Sequence, residues 1–227
     1  MSSPAENLIT VLARIRQAER QFQRPPGSVT LLAVSKGQPA ESIAAIAAAG
    51  QHCFGESYLQ EALVKIEALR QLPLEWHFIG PIQANKTRGI AAHFSWVHSV
   101  DRLKIAQRLS EQRPPHLPPL NVCLEVNISQ ESSKHGLNPA ELQAVARAVA
   151  GLPRLHLRGL MAVPAPAEEF TLQRRPLAWL RALQQELIAA GLELDTLSMG
   201  MSADLEAAIA EGATMVRVGT AIFGPRT

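Results

Sequence analysis

The stretch Val29-Thr30-Leu31-Leu32-Ala33-Val34-Ser35-Lys36-Gly37 is a nearly continuous apolar run that ends in a lysine and a glycine. Apolar residues without polar alternation are typical of a strand covered on both faces, as in a parallel sheet. We therefore predict a buried parallel strand over residues 29–35, with Lys36 at its C-terminal end.

The same unit of apolar strand, polar or glycine-containing turn and amphipathic helix recurs along the rest of the chain. Strict alternation of strand and helix favours a parallel sheet, and eight strands without a long spare segment favour closure into a barrel. We predict an α/β fold of the (β/α)8 TIM type. The predicted strands are 29–35, 52–55, 75–79, 96–99, 121–127, 155–162, 196–199 and 215–219, and the predicted helices between them are 39–49, 59–71, 83–92, 102–113, 139–151, 176–190 and 203–212.

An amphipathic helix over residues 7–22 precedes the first strand, and only residues 220–227 follow the last one. The leading helix is therefore expected to occupy the place of the missing last barrel helix. We expect one domain over residues 1–227, with the barrel spanning 29–227 and no second β-rich domain.

Composition restricts the function classes. The chain is 227 residues long, 47% hydrophobic and 19% charged, which argues against disorder. A net charge of +2 and only 4% aromatic residues argue against nucleic acid as a partner. Neither a targeting segment nor a membrane span is predicted, so we expect a cytoplasmic protein. Cys53 and Cys123 are expected to be reduced structural thiols, and the scattered histidines predict no metal site.

Lys36 and Arg217 are the two charged residues whose positions indicate a function. In a TIM barrel the working site lies at the C-terminal ends of the strands, where a partly desolvated Lys36 could act as a neutral amine. It could equally extend into solvent. Strand alternation turns Arg217 away from the faces of Val216 and Val218, hence into the barrel, where it needs an acceptor. Glu125 or an atom of a ligand could supply it.

The turns after the last two strands suggest an anion site. Residues 198–202 read Ser-Met-Gly-Met-Ser, and Gly219-Thr220 follows the eighth strand. Glycine turns and hydroxyls at these two loops often bind phosphate in barrels. Ser202 could also be the N-cap of the next helix, with Glu206 in its first turn.

Several motifs in order resemble the pyridoxal phosphate homeostasis protein family, also called YggS-like or PROSC proteins. This family is similar to the barrel domain of alanine racemase, a fold-type III pyridoxal phosphate-binding fold. The motifs are Leu32-Ala33-Val34-Ser35-Lys36, Phe54-Gly55-Glu56, Trp76-His77-Phe78-Ile79-Gly80 with Gln83 and Asn85-Lys86, Val126-Asn127-Ile128, Gly159-Leu160-Met161-Ala162-Val163-Pro164, Leu197-Ser198-Met199-Gly200-Met201-Ser202 and Val216-Arg217-Val218-Gly219-Thr220.

The resemblance implies that Lys36 holds pyridoxal phosphate as a Schiff base and that Arg217 faces the pyridine nitrogen. It further implies that Ser202, Gly219 and Thr220, with Ser198, hold the phosphate, and that Asn85 belongs to the cofactor site. Ser57 and His135 depart from the family pattern, which leaves the roles of those two positions open.

Two functions follow from this site. One is a monomeric carrier in vitamin B6 homeostasis that buffers the cofactor and delivers it to apo-enzymes without a committed catalytic activity. The other is a racemase-like enzyme on amino acids, with Lys36 as base and Tyr58 or His77 as acid. An arginine at the pyridine nitrogen weakens the electron sink, which favours the carrier. A third class, a barrel that binds another phosphorylated ligand non-covalently, is weaker.

Overall fold

The computed structural model describes residues 3–129 and 135–224. Within them, eight parallel strands close into a barrel in the order β1 to β8, and β8 pairs with β1. The predicted α/β barrel is confirmed. The strands are β1 Thr30–Val34, β2 Cys53–Glu56, β3 Glu75–Phe78, β4 Trp96–Val100, β5 Leu120–Glu125, β6 Leu155–Met161, β7 Thr196–Ser198 and β8 Met215–Val218.

Helices surround the barrel. They are α1 Pro4–Gln21, α2 Ala40–Ala48, α3 Leu59–Ala68, α4 Thr87–His93, α5 Leu103–Gln112, α6 Pro139–Ala150, α7 Phe170–Ala189, α8 Leu205–Ala210 and α9 Thr220–Phe223. Among the described residues, no helix is both long and apolar enough to cross a bilayer.

Helix α1 lies where the last barrel helix would be expected, because it packs against α2, α8 and the short α9. It begins three residues earlier than predicted. Ser3 and Glu6 form a capping box, in which the Ser3 N–H donates to Oε2 of Glu6 at 2.7 Å and the Glu6 N–H donates to Oγ of Ser3 at 3.3 Å. Pro4 at the first helical position needs no hydrogen-bond partner.

Helix α7 begins six residues before the predicted start at Pro176, which lies inside it. The prediction used proline as a helix start, a position that it favours. Pro176 lacks the N–H that would reach the carbonyl of Leu172. Leu172 is exposed, so solvent can reach the acceptor that loses this bond.

Helices α4 and α8 begin later than predicted. Before α4, a turn closes with the Lys86 N–H donating to the Gln83 carbonyl at 2.9 Å. Before α8, the Met201 N–H donates to Oδ1 of Asp204 at 2.6 Å. Side-chain and turn bonds of this kind compete with helical hydrogen bonds. Both loops therefore stay non-helical at the C-terminal end of the barrel.

Candidate functional site

Lys36 lies in the turn that directly follows β1. The Ser35 N–H donates to the Gly55 carbonyl at 2.9 Å, so the residue before the lysine is still bonded to β2. The Gln38 N–H closes the turn by donating to the Ser35 carbonyl at 3.0 Å. Gly37 has a φ of +74°, which favours glycine. Lys36 is half-buried at the C-terminal end of the barrel, the position expected from the sequence.

A buried ion-pair cluster of Lys65, Glu56 and Glu61 lies beside this turn. Nζ of Lys65 donates to Oε1 of Glu56 at 2.8 Å and also contacts Glu61. The hydroxyl of Ser35 donates to the same Glu56 oxygen at 2.6 Å. Burial raises the pKa of the Glu56 carboxyl, while hydrogen bonds from Lys65 and Ser35 oppose that shift. Oε2 of Glu56 is buried with no hydrogen-bond partner among the residues that the structure describes.

The ion-pair cluster fixes the backbone on both sides of Lys36. Nζ of Lys65 donates to the Ser35 carbonyl at 2.8 Å, and the Gly37 N–H donates to Oε1 of Glu61 at 2.6 Å. Sequence reasoning missed this cluster. The spacing of Glu61 and Lys65, four residues apart on one helix, was the available signal.

The Gly219–Thr220 turn lies next to the strand that carries Lys36. Ala33 pairs with Val218, the last residue of β8. A Cβ added at Gly219 would come within 3.2 Å of the Val34 carbonyl oxygen. A side chain there would require a small shift of the neighbouring backbone of Val34. Thr220 begins α9 and is exposed to solvent.

The turn after β7 also depends on a glycine. Gly200 has a φ of +94°, and an added Cβ would come within 2.4 Å of Cβ of Ala208. The Arg217 N–H donates to the Gly200 carbonyl at 2.9 Å, which joins this turn to β8. Ser202 lies half-buried in the turn. The alternative that Ser202 is the N-cap of the next helix is wrong, because Asp204 occupies that position.

Arg217 is buried and faces the barrel interior, as strand alternation predicts. Nη1 donates to the Ser198 carbonyl at 2.6 Å and to the Ser198 hydroxyl at 2.8 Å, and Nη2 donates to the Ala162 carbonyl at 2.9 Å. Val216 and Val218 lie in the hydrophobic core. These acceptors are neutral protein groups. The sequence analysis considered only Glu125 or an atom of a ligand as the acceptor for Arg217.

Glu125, the carboxylate proposed as a partner for Arg217, lines a cavity of about 370 Å³ at the C-terminal end of β5, β6 and β7. Burial and the charge of Asp101 raise the pKa of Glu125, while the charges of Arg217 and His135 lower it. The cavity is lined by Glu125, Val126, Asn127, His135, Val163, Pro164, Pro166 and Met201. The charges of Arg217 and Glu125 therefore interact electrostatically at the C-terminal end of the barrel.

The remaining candidates lie in different environments. Asn85 is exposed in the turn between β3 and α4. The hydroxyl of Ser198 is fully buried and already contacts Arg217 and His98. Tyr58 is 61% exposed, whereas His77 is buried inside the barrel. The two acids considered for an enzyme therefore lie in contrasting environments.

A row of buried polar side chains, which sequence reasoning missed, crosses the barrel interior. Nε2 of His77 lies 2.9 Å from Oε1 of Glu75, and Nδ1 of His77 lies 2.9 Å from Nε2 of His98. Nδ1 of His98 lies 2.8 Å from Oγ of Ser198, which also contacts Arg217. Burial lowers the pKa of both histidines, so both are neutral near pH 7. Each histidine follows an apolar residue in its strand, Trp76 before His77 and Val97 before His98, which was the available signal.

Sγ of Cys53, a carboxylate oxygen of Glu75 and Nε2 of His77 lie within 4.8 Å of one another at the N-terminal end of the barrel. Sγ of Cys53 donates to Oε1 of Glu75 at 3.6 Å, and the same oxygen lies 2.9 Å from Nε2 of His77. Burial and the charge of Glu75 raise the pKa of Cys53 to about 12, and burial raises that of Cys123 to about 12. Both cysteines are free thiols, as expected.

The barrel and its site belong to a known class of proteins. The model of the alanine racemase N-terminal domain family matches residues 7–227. The alanine racemase of Corynebacterium glutamicum has the same fold, with a TM-score of 0.69 over 93% of this chain and 60% of that chain at 22% identity.

Relatives with higher identity define the class more narrowly. A pyridoxal phosphate homeostasis protein of Pseudomonas aeruginosa is 62% identical over 100% of this chain and 97% of its own length, and one of Escherichia coli is 53% identical over 100% and 98%. PipY of Synechococcus elongatus, solved with pyridoxal phosphate bound, is 38% identical, with a TM-score of 0.85 over 98% of this chain and all of that chain. The chain belongs to the pyridoxal phosphate homeostasis protein family.

Proposed function

We propose that this chain binds pyridoxal phosphate covalently through Lys36, limits the free aldehyde and delivers the cofactor to apo-enzymes, without a committed catalytic step. The observation that carries the proposal is a buried guanidinium, Arg217, held by neutral acceptors at the barrel mouth where a half-buried lysine also lies. The relatives named for homeostasis and the PipY complex support it.

The donors available fit the pyridine ring. A guanidinium has five N–H donors, and the contacts of Arg217 with described residues engage three of them. Another N–H of Arg217 is proposed to donate to the pyridine nitrogen. Because a guanidinium donates and does not accept, it keeps that nitrogen unprotonated.

The phosphate is proposed to lie between the turns after β7 and β8. Ser202 and Thr220 would offer hydroxyls, and the Gly219 turn would offer backbone N–H groups. Asn85 would close the site from the turn after β3. A phosphate contact of Ser198 stays a prediction. The contacts of its hydroxyl favour a role in orienting Arg217 instead.

Pyridoxal phosphate supplies an aldehyde to which a neutral amine adds, with loss of the carbonyl oxygen as water. Nζ of Lys36 is proposed as that amine, and it must lose its proton before it can attack. The bonds of Ser35 and Gly37 to the ion-pair cluster hold the backbone on both sides of the lysine.

The positions of the candidate acids support the absence of a committed catalytic step. A racemase needs an acid or base on each side of the substrate carbon. Tyr58 is largely exposed, and both ring nitrogens of His77 contact protein groups. We further propose that the chain is a monomer in the cytoplasm, where its two free thiols would stay reduced.

The visible spectrum before and after borohydride reduction, followed by peptide mapping, tests the covalent site. We expect a yellow protein whose reduced adduct maps to the peptide that contains Lys36. In Lys36→Ala that adduct should be lost. Lys104→Ala, which removes an exposed lysine on α5, is the matched control and should label as the wild type does.

A colourless wild-type protein that cannot be reconstituted with pyridoxal phosphate would contradict the covalent site. The carrier role has a separate test. The holoprotein should exchange the α-hydrogen of amino acids in deuterium oxide no faster than free cofactor does, and it should transfer its cofactor to an apo-enzyme. Exchange at enzymatic turnover would overturn the carrier and favour the racemase-like enzyme.

A further inference from the structure

The row of buried polar side chains across the barrel connects two opposite charges. It runs from Arg217, at the end proposed to bind the cofactor, through Ser198, His98 and His77 to Glu75 at the start of β3. The two histidines and Ser198 are fully buried. The side chain of Glu75 is 43% exposed, so the row ends at solvent.

The chemistry of the two ends sets the direction of every bond. Arg217 can only donate, so Oγ of Ser198 accepts from Nη1. The hydroxyl proton of Ser198 is then available to Nδ1 of His98, 2.8 Å away. At the other end the carboxylate of Glu75 can only accept, so Nε2 of His77 must carry a proton.

The contact between the rings then follows. A neutral histidine has one N–H, so His77 with a proton on Nε2 has a bare Nδ1 that accepts. His98, whose Nδ1 accepts from Ser198, has its proton on Nε2. These two atoms are the ones that lie 2.9 Å apart. One arrangement of protons satisfies all four bonds.

We propose that these side chains form a one-way hydrogen-bond relay from Arg217 to Glu75, in which His98 and His77 are neutral Nε2–H tautomers. Ser198, His98 and His77 are positioning residues for Arg217. The relay fixes the position of the Ser198 hydroxyl oxygen, which accepts a hydrogen bond from Nη1 of the guanidinium. The consequence for pyridoxal phosphate rests on the proposed function; the tautomers do not.

The reversed direction fails at Glu75. If Nδ1 of His98 donated to Ser198, then Nε2 of His98 would have to accept from Nδ1 of His77. Neutral His77 would then turn a bare Nε2 toward a carboxylate at 2.9 Å, with two acceptors and no proton between them. Only a doubly protonated His77 would avoid this contact, at the cost of a charge inside the barrel.

Nitrogen-15 NMR of the cofactor-free protein, labelled at histidine and treated with a metal chelator, tests the relay directly. The coupling between two ring nitrogens across a hydrogen bond identifies the His77–His98 pair without any variant. We expect both Nε2 atoms to be protonated and both Nδ1 atoms to be bare. A proton on Nδ1 of either ring would overturn the relay, as would a bare Nε2 of His77 bound to a metal with Cys53 and Glu75.

Ser198→Ala tests the positioning role. It removes the donor to His98 and one acceptor of Arg217, so the nitrogen-15 resonance of His98 Nδ1 should shift and the dissociation constant for pyridoxal phosphate should rise about tenfold. Both tautomers should persist, because Glu75 still sets them through His77. Ser110→Ala is the control, because it removes a buried hydroxyl that lies on α5, away from the relay. It should change neither the His98 resonance nor the dissociation constant. An unchanged affinity for pyridoxal phosphate in Ser198→Ala would overturn the positioning role. If no variant binds pyridoxal phosphate, the proposed function fails while the tautomer result stands.

Discussion

The two ends of the barrel each hold an arginine, and the two arginines are satisfied differently. At the N-terminal end, Nη2 of Arg158 lies 2.5 Å from Oδ2 of Asp195, and its guanidinium stacks over Trp96 at 4.9 Å. At the C-terminal end, Arg217 is held by the carbonyls of Ala162 and Ser198 and by a hydroxyl. One cation faces an anion, and the other faces neutral dipoles.

We propose that this difference separates a structural charge, Arg158, from a binding charge, Arg217. Burial raises the pKa of Asp195, but hydrogen bonds from Arg158 and Thr196 outweigh it, so the net pKa is lowered and the ion pair persists at neutral pH. Arg217 keeps donors for a further acceptor, and burial lowers its pKa. A buried cation without a contacting anion is costly, and a ligand can offset that cost. We therefore propose that the C-terminal end is the one at which a bound ligand adds stability.

The largest expected effect is at the ion-pair cluster of the C-terminal end. Lys65→Met leaves Glu56 buried without its cation, so the free energy of unfolding should fall by about 3–5 kcal/mol, measured by urea denaturation. Arg70→Met, which breaks an exposed pair with Glu67, should cost less than about 1 kcal/mol. Adding Glu56→Gln to Lys65→Met should recover part of the loss. An equal effect of Lys65→Met and Arg70→Met would contradict a structural role for the cluster.

The next effect compares the two arginines directly. Arg217→Met should raise the dissociation constant for pyridoxal phosphate about a hundredfold, close to 2.7 kcal/mol, because it removes the proposed partner of the pyridine nitrogen. Arg158→Met at the opposite end should leave the affinity within about twofold, since it lies outside the proposed site. Titration of the cofactor-free proteins by visible absorbance measures both. Equal losses in the two variants would remove the distinction between the two ends.

The smallest effect concerns pH at the N-terminal end. A hydrogen bond from His77 lowers the pKa of Glu75 in the folded protein. The ionised Glu75 therefore stabilises the fold fully above the unfolded pKa of about 4.3, and this contribution is lost as the pH falls through the folded pKa. At pH 7, Glu75→Gln should cost less than about 1 kcal/mol, because solvent screens this carboxylate.

The difference between wild type and Glu75→Gln should narrow below about pH 4. Urea denaturation at pH 7 and at pH 3.5 measures it. A difference that stays constant with pH would show that Glu75 is not held ionised by His77.

The barrel and the position of Lys36 could be predicted from the sequence alone. An apolar run without polar alternation is typical of a strand covered on both faces, and its repetition between amphipathic helices favours a closed parallel sheet. Gly37 and Gly200 could be assigned to turns, and both have positive φ values, which favour glycine. The starts of α7 and α4 were predicted less well. Helix α7 begins at Phe170 instead of Pro176, because solvent can reach the carbonyl that loses its bond, and α4 begins at Thr87 instead of Gln83, because turn bonds precede it.

Which side chains form hydrogen bonds with one another depends on the tertiary structure. Lys65 meets Ser35 across two elements, and His98 meets Ser198 although 100 residues separate them. Such contacts depend on strand register and on which face each strand turns inward, and a list of polar residues at strand ends contains neither. The physical reason is that periodicity follows from the local backbone, whereas hydrogen bonds inside a barrel depend on closure of the whole sheet.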